Sequence, residues 1–372
     1  MPFAIKNASN QKYSIDRSKD KYTSKTDRLL NILFYSDELP NDLYTQMNLS
    51  HDYYRYLIHT LISSNLIKKI YNDDRIGYIL TSNGWKLTRQ VNYLKYRDCL
   101  NDGRDKHHNK GKYRNRKRQF AYLYALFDRA GIPYESFAKP NLDDKTVYNS
   151  QNIYFYSALE FKRLLDIEST VFRGSRVLGF LIGKGKIIPV YRTNQLLKSF
   201  NSHEKMVPYS INRYFSVEVD TAILICNDNE AAKNIANQIV QKESASDIYD
   251  IGTIYYKNFN VLTSSDDFMS HLDDLYIDHR KTEEALINQY NVNTSKRNER
   301  GNLRYLFGTG FIDNIYPILI CPGNINVAKA KHFIIHSERK KGISSYIVCK
   351  ERDLELVQSI TQGYPIKIMI IQ

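Results

Sequence analysis

Residues 39–88 constrain the fold of this chain most, because they carry the signals of two helices and a hairpin in close succession (LPNDLYTQMNLSHDYYRYLIHTLISSNLIKKIYNDDRIGYILTSNGWKLT). Pro40 stands where the first turn of a helix tolerates a missing backbone N–H, so a short helix is predicted over residues 41–47. Ser50 is of a residue type that caps helices, and residues 51–67 then place apolar side chains three and four apart. This spacing predicts a second helix.

The second predicted helix has two chemically different faces. Its apolar face is formed by Tyr54, Leu57, Ile58, Leu61 and Ile62. Its opposite face carries Asp52, Tyr53, Arg55, Tyr56, His59 and Thr60. Two short alternating segments, residues 68–70 and 77–81, flank the turn residues 72–74, which predicts a hairpin with basic edges. Together with a further helix over residues 23–35, this is the order of parts in a winged helix-turn-helix.

Positive charge is concentrated in the N-terminal third of the chain. The 372 residues have a net charge of +13, and residues 1–118 hold 23 Lys and Arg against 12 Asp and Glu, an excess of 11. Residues 104–118 (RDKHHNKGKYRNRKR) contain eight of these cations, and they form either a solvated linker or a segment that follows phosphates. A polyanion is the expected partner, since neutralising phosphates releases counterions. A membrane surface is less suitable, because no basic amphipathic helix with a large apolar face accompanies the charge.

These observations predict that the N-terminal part binds double-stranded DNA. The first residues of the second helix would face base edges, as those of a recognition helix do; they are Ser50, His51, Tyr53, Tyr54 and Arg55. Cations around this helix would hold phosphates; they are Lys68, Lys69, Arg75, Lys86, Lys112, Arg114, Arg116, Lys117 and Arg118. The alternative is a winged helix used only for protein contacts, because a fold does not determine a function.

Beyond residue 118 the chain alternates predicted strands and helices, which indicates an α/β domain with a mixed sheet. The overall class is α/β (α+β overall). We predict a flexible basic arm over residues 1–22, a winged helix-turn-helix over 23–92, a basic linker over 93–118, and an α/β domain in two parts, 119–290 and 291–372. We expect the α/β domain to mediate assembly, with a homodimer as one form of it.

The alternative function is a Mg²⁺-dependent endonuclease of the restriction-endonuclease type, targeted by the winged helix. Its chemistry needs an Asp, then an acid and a Lys one residue apart on a strand, so that carboxylates hold Mg²⁺ and the lysine activates water. The candidate residues are Asp143 or Asp144 with Glu160 and Lys162, and the pair Glu218 and Asp220. Residues 157–165 favour a helix, on which residues two apart do not face each other. We therefore predict no catalytic residue, no metal and no cofactor.

The cysteines and the hydropathy indicate a cytoplasmic protein. The four cysteines, Cys99, Cys226, Cys321 and Cys349, are far apart and form no C-x-x-C spacing, which argues against zinc and against a disulfide framework. No apolar run approaches the roughly 18 residues that a membrane span needs. Cys321 also begins a turn, residues 321–324, between a predicted strand and helix, where α/β proteins place ligands. A plain strand-to-helix turn is the favoured interpretation.

Several segments together resemble the replication-relaxation type proteins, which are winged-helix proteins encoded on plasmids and integrative elements of Gram-positive bacteria. They are the winged helix, the basic residues 114–118, FYSALEFKR at 155–163, SRVLGFLI from Ser175, and VYRTN ending at Asn194. The resemblance covers roughly residues 23–194. It implies DNA binding in the replication, mobilisation or transcriptional control of a mobile element, and it brings no catalytic residues.

Overall fold

The computed structural model describes residues 4–6, 12–14, 25–72, 75–91, 111–164, 175–193, 201–241, 256–294, 308–313, 315–338 and 342–371. The chain forms two compact units, Met1–Asp144 and Lys145–Gln372. The sequence predicts the start of the α/β domain after residue 118. The structure moves it to residue 144, because the basic residues from 111 onward continue into a long helix that packs against the first helix of the same unit.

The first unit is built mainly from helices and a small sheet. Its elements are β1 Ala4–Lys6, β2 Lys12–Ser14, α1 Lys25–Ser36, β3 Leu39–Pro40, α2 His51–Ser63, β4 Ile67–Asn72, β5 Arg75–Leu80, α3 Ser82–Val91 and α4 Gly111–Ala130. The strands β3, β5 and β4 form an antiparallel sheet in this order. In the predicted arm, β1 pairs antiparallel with β2, and the rest of residues 1–22 lies outside the described residues.

The short helix predicted over residues 41–47 is a 3-10 helix, Leu43–Thr45. Its backbone hydrogen bonds join residues three apart, as a 3-10 helix requires: Thr45 N–H donates to Asp42 O, and Gln46 N–H donates to Leu43 O. The helix α2 agrees better with its prediction: Ser50 Oγ accepts a hydrogen bond from the Tyr53 backbone N–H at 3.3 Å, as an N-cap does. Its buried face consists of Tyr54, Leu57, Ile58 and Leu61, whereas Ile62 is exposed.

The second unit alternates strands and helices. Its helices are α5 Ala158–Leu164, α6 Asn201–Phe215, α7 Asn229–Gln241, α8 Phe268–Tyr276, α9 Arg280–Gln289, α10 Val327–Glu338 and α11 Leu354–Thr361. Its strands are β6 Tyr154–Ser157, β7 Gly179–Gly183, β8 Lys186–Arg192, β9 Thr221–Cys226, β10 Asn258–Thr263, β11 Val292–Asn293, β12 Gly310–Ile312, β13 Tyr316–Ile320, β14 Ser345–Lys350 and β15 Ile366–Ile371.

These strands form two five-stranded mixed sheets that have the same topology. Their strand orders are β10-β9-β8-β7-β6 and β11-β12-β13-β14-β15. In each sheet three strands run antiparallel in succession, and the last two are added in parallel. Parallel neighbours need a crossover, and α6, α7, α10 and α11 provide it. The predicted α/β class is confirmed, with two mixed sheets in place of one.

The strands of the second unit have continuous apolar sequences because they are buried in its core. Every residue of β7 and β9 is buried, as expected for strands covered on both faces. A hairpin joins β7 and β8, with Gly183 opposite Lys186. Its two turn residues, Lys184 and Gly185, have φ of 49° and 70°, the left-handed pair that a two-residue hairpin turn requires.

Candidate nucleic-acid interface

The exposed face of α2 carries an aromatic pair beside a cation. The rings of Tyr53 and Tyr56 stack with centroids 6.3 Å apart and an interplanar angle of 15°. Tyr56 is 64% exposed, and Arg55 between the two tyrosines is exposed as well. Lys25 Nζ lies 5.4 Å from the centroid of the Tyr53 ring, within cation–π range. Large apolar rings left in solvent next to cations are typical of a binding surface.

The hairpin β4–β5 presents a second cation and tyrosine pair. Lys69 lies opposite Tyr78 in the register, and its Nζ stands 4.7 Å from the centroid of the Tyr71 ring, which is 70% exposed. Burial raises the pKa of Tyr78, and the positive charges of Lys69 and Arg55 oppose this rise. Both cations are therefore close enough to Tyr78 to act on it. We call Tyr53, Arg55, Tyr56, Lys69 and Tyr71 the tyrosine–cation surface.

Two other residues assigned to the start of α2 are engaged within the first unit. The Ser50 hydroxyl caps the helix, and the ring of His51 packs edge-on against Tyr44 with centroids 5.2 Å apart. The prediction that Tyr54 faces a base edge is wrong. Tyr54 is 1% exposed, and its hydroxyl donates a hydrogen bond to Pro40 O at 2.8 Å, so it holds α2 against β3 and cannot reach a base edge.

The role predicted for Arg114 is also wrong. Arg114 is one of the cations predicted to hold a phosphate, but it is buried against Glu38, which is 1% exposed. Its guanidinium donates from Nε to Glu38 Oε2 at 2.9 Å and from Nη2 to Oε1 at 2.7 Å. Nη2 also donates to Arg75 O at 3.3 Å. A bidentate pair of this kind fixes α4 to the strands β3 and β5, and no charge remains for a ligand.

Arg118 extends the same internal contact. It donates to Ile76 O at 2.9 Å and lies 3.4 Å from both Glu38 Oε1 and Asp42 Oδ1. The hydroxyl of Tyr122 donates to Asp42 Oδ1 at 2.5 Å. We call Glu38, Asp42, Arg114, Arg118 and Tyr122 the α4 clamp. A Cβ atom on Gly77 would lie 2.2 Å from Glu38 Oε1, so a glycine is needed where this carboxylate crosses β5.

The remaining predicted phosphate contacts differ in their exposure. Lys68 and Lys69 of β4 and Lys86 of α3 are exposed. Arg75 is exposed and donates to Asn115 Oδ1 at 2.6 Å. Lys117 lies 3.8 Å from Asp37, and the Arg116 guanidinium lies 5.6 Å from the centroid of the Phe120 ring. The side chain of Lys112 and residues 104–110 lie outside the described residues.

Sequence reasoning missed the acidic half of the α4 clamp and two tyrosines of the tyrosine–cation surface. Glu38 and Asp42 flank the Pro40 that was taken as a helix start, and an acid there gives no local signal of a partner more than seventy residues away. Tyr56 and Tyr71 could have been found. Tyr56 lies on the polar face of α2, and Tyr71 stands two residues from the predicted phosphate contact Lys69 and therefore on the same face of β4.

The residues proposed for a nuclease do not form that site. Glu160 and Lys162 lie on α5, and Glu160 closes a capping box: its Oε2 accepts from Ser157 N at 2.7 Å, and Ser157 Oγ accepts from Glu160 N at 3.3 Å. Asp143 accepts a hydrogen bond from the Asn141 side chain. The E-x-K arrangement is therefore wrong as a metal site, because these two side chains point to different faces of a helix.

The second carboxylate pair also has local partners. Glu218 accepts from Lys257 Nζ at 2.7 Å, and Asp220 accepts from the Thr221 hydroxyl at 2.8 Å. Within the described part of the chain, no group of three or more His, Cys, Asp or Glu side chains is arranged to hold a metal ion. No described helix combines the length and the apolar character that crossing a membrane requires.

Comparisons of the chain with protein-family models, with curated proteins and with solved structures found no match.

Proposed function

We propose that this protein binds double-stranded DNA through a winged helix-turn-helix formed by α1, α2 and the hairpin β4–β5. The observation that carries the proposal is the tyrosine–cation surface, which has one stacked tyrosine pair on the solvent face of α2 and one lysine–tyrosine pair on the hairpin. It lies in the part of the chain with the largest excess of positive charge. A helix with one solvent face and an adjacent basic hairpin matches the groove and the phosphates of a duplex.

In this proposal α2 enters the major groove and Arg55 reads a base edge. Arginine is suited to this role, because its guanidinium can donate two hydrogen bonds to O6 and N7 of guanine. Lys68, Lys69 and Lys86, which are exposed, neutralise phosphates on either side. Tyr53, Tyr56 and Tyr71 supply apolar ring faces for thymine methyl groups and sugars. Arg114 and Tyr54 have internal roles and take no part.

The cellular role we propose is replication, mobilisation or transcriptional control of a mobile genetic element, in line with the resemblance to replication-relaxation type proteins. We place the protein in the cytoplasm. Cys226, Cys321 and Cys349 are buried as free thiols, which suits a reducing compartment. A homodimer stays part of the proposal, and sedimentation equilibrium of the full chain tests it.

The test is a salt titration of DNA binding. The full chain is compared with a variant in which Lys68, Lys69 and Lys86 are changed to Ala, using duplexes of random sequence. Each phosphate contact adds about 0.9 to the slope of log K against log salt, so the variant is expected to lose up to about 3 from that slope. A matched control changes three exposed lysines of the second unit, Lys162, Lys257 and Lys281, to Ala.

The outcomes separate the two functions left open for α2. Loss of slope in the first variant and an unchanged slope in the control support DNA binding through α2 and the hairpin. Equal loss in both variants, or an affinity no better than that of an unrelated cationic protein at physiological salt, would instead support a helix used for protein contacts.

A further inference from the structure

The two five-stranded sheets of the second unit differ at one corresponding edge. β10 ends the first sheet and β15 ends the second, and each is the last of three parallel strands. In β10 every residue after Asn258 is buried. In β15 no residue is fully buried, although five of its six side chains are apolar. The same strand of the same topology is therefore covered in one sheet and open in the other.

The edge of β10 is closed by Asn326, which directly precedes α10. Asn326 Oδ1 accepts a hydrogen bond from the Phe259 N–H at 3.2 Å, and the Asn326 amide donates to Lys257 O at 2.8 Å. A side-chain amide offers the same donor and acceptor as a backbone peptide, so Asn326 replaces a further strand along this edge. The chain thus covers one of the two corresponding edges with its own residues, as proteins usually do with a strand that could pair.

The outer edge of β15 has no such cover among the described residues. The Ser345 N–H donates to Pro365 O at 3.1 Å at the start of the pairing between β14 and β15. In a parallel pair every second residue bonds to the same neighbour, so the odd-numbered residues 367–371 direct their N–H and C=O groups to β14. Ile368 and Ile370 direct theirs away from the sheet, where the described part of the chain supplies no partner. This edge therefore presents free backbone donors and acceptors.

The side chains of β15 do not protect its edge. Its sequence is IKIMII, with Lys367 as the one charged residue and with no proline. Lys367 Nζ lies 5.9 Å from the centroid of the Tyr346 ring on the neighbouring strand β14, so this charge is turned over the sheet and away from the edge. The pairing with β14 runs without a bulge, and Ile370 is 41% exposed. Charges, prolines and bulges are what usually prevent edge pairing, so β15 is open to another strand.

The strand that fits this edge best is β15 of a second copy. In an antiparallel pair with the two-fold axis at Met369, Ile368 of each copy lies opposite Ile370 of the other, and their outward N–H and C=O groups bond to each other. Lys367 lies opposite Ile371, so no lysine faces a lysine. Such a pair uses the same edge on both copies and leaves neither edge open. A strand of another protein would need a charge or pocket to be selected, and the edge of β15 presents no charge outward.

We propose that two copies of this protein pair antiparallel through β15, with Met369 at the two-fold axis, and that their second sheets thereby join into one continuous sheet. This inference rests on the homodimer of the proposed function and specifies its interface. It does not depend on DNA binding, which the salt titration tests separately. A monomeric full chain would exclude the homodimer altogether, whereas a dimer that does not respond to changes in β15 would exclude this interface alone.

The first experiment is sedimentation equilibrium of the full chain and of two variants at one position. Ile370→Pro removes the N–H that would donate to the second copy and spares the bonds to β14, because this N–H faces outward. Ile370→Val keeps the N–H and is the matched control. The wild type and Ile370→Val are expected to dimerise below about 100 µM. Ile370→Pro is expected to raise the dissociation constant of the dimer by about tenfold or more, since each copy loses a donor.

A disulfide cross-link tests the register, and it decides the question if Ile370→Pro fails to fold. At the axis the two Met369 residues would form a pair without mutual hydrogen bonds, with Cα atoms about 4.5 Å apart, which suits a disulfide. Met369→Cys is therefore expected to form a covalent dimer on mild oxidation. Ile371→Cys is the control, because residue 371 lies on the same face of β15 but opposite Lys367 of the second copy, so its two copies are too far apart.

Three results would overturn the proposal. The first is a full chain that stays monomeric at about 100 µM. The second is a folded Ile370→Pro that dimerises as well as Ile370→Val. The third is a yield of covalent dimer from Met369→Cys no higher than that from Ile371→Cys.

Discussion

The guanidinium of Arg114 and the carboxylate of Glu38 form a buried bidentate pair, with Nε 2.9 Å from Oε2 and Nη2 2.7 Å from Oε1. The pair joins α4 to the edge of the small sheet across more than seventy residues. Arg114 belongs to the most basic stretch of the chain, yet its role is structural. Replacing basic residues 112–118 together would therefore disturb the first unit as well as any DNA contact.

Breaking this pair is expected to destabilise the first unit strongly. Arg114→Ala removes both short hydrogen bonds to the buried Glu38 carboxylate and leaves it only the 3.4 Å contact with Arg118. Breaking a buried ion pair typically costs about 3–5 kcal/mol in the free energy of unfolding, and the remaining contact places the expected loss towards the lower end. Urea denaturation of the full chain measures this, with Lys86→Ala, an exposed cation of the same unit, as the control. If Arg114→Ala kept full stability and lost DNA affinity alone, the phosphate role would have to be restored.

Arg55 is expected to determine which DNA sequence is chosen. Arg55→Lys keeps the positive charge but loses the two parallel donors, so binding to random duplexes should change little while discrimination falls by about 1–3 kcal/mol. Selection of duplexes from a random pool by the wild type and the variant measures this. Equal enrichment of the same sequence by both proteins would rule out the base-reading role.

Ser50 offers a test in which stability and DNA binding change separately. Ser50→Ala should cost about 1 kcal/mol of stability, because the Tyr53 N–H loses its cap. Ser50→Asp keeps a cap and should keep stability, but its negative charge at the end of α2 that we propose to face DNA should lower DNA affinity. Denaturation and binding are measured on both variants. Unchanged DNA affinity in Ser50→Asp would place the duplex elsewhere.

Glu160 should behave as a capping residue and not as a metal ligand. Glu160→Ala removes the acceptor of the Ser157 N–H and should reduce stability by about 0.5–2 kcal/mol. A Mg²⁺-dependent DNA nicking assay of the wild type and this variant should give equal rates. Nicking by the wild type that vanishes in Glu160→Ala at full stability would revive the nuclease alternative.

Glu204 is expected to make the free energy of unfolding decrease as the pH rises. It is fully buried, and burial raises its pKa, although the Arg176 N–H and the hydroxyls of Ser175 and Tyr191 bond to it. Between the ordinary pKa of Glu and this raised value, the unfolded chain ionises while the folded chain holds its proton. The free energy of unfolding therefore decreases as the pH rises through that window, and the contribution is fully present only below it.

Glu204→Gln is expected to flatten that pH dependence. The Ser175 and Tyr191 hydroxyls can reverse their roles and accept hydrogen bonds from the amide of the glutamine, so the variant can still fold. Denaturant unfolding from about pH 4 to about pH 8 compares the two proteins. An identical slope in both would show that another group is responsible.

The sequence by itself determined the elements and their class. Spacings of three and four with a Ser cap predict α2, and alternation with apolar runs predicts β7, β8 and β9, because such signals depend on neighbours a few residues apart. The division of α2 into a core face and a solvent face was also readable, apart from Tyr54 and Ile62. Tyr54 was assigned to both faces, and only its bond to Pro40 shows that it lies inside.

Only the tertiary structure decided which charges are free and which groups meet. Glu38 and Arg114 are far apart in the chain, so no local pattern shows that they neutralise each other. The same holds for His271 and the adjacent pair Arg352 and Asp353, which two separate segments bring to one cavity of the second unit. Ion pairing and burial depend on packing between distant segments, and residue type alone cannot separate a cation that holds a helix in place from one that awaits a ligand.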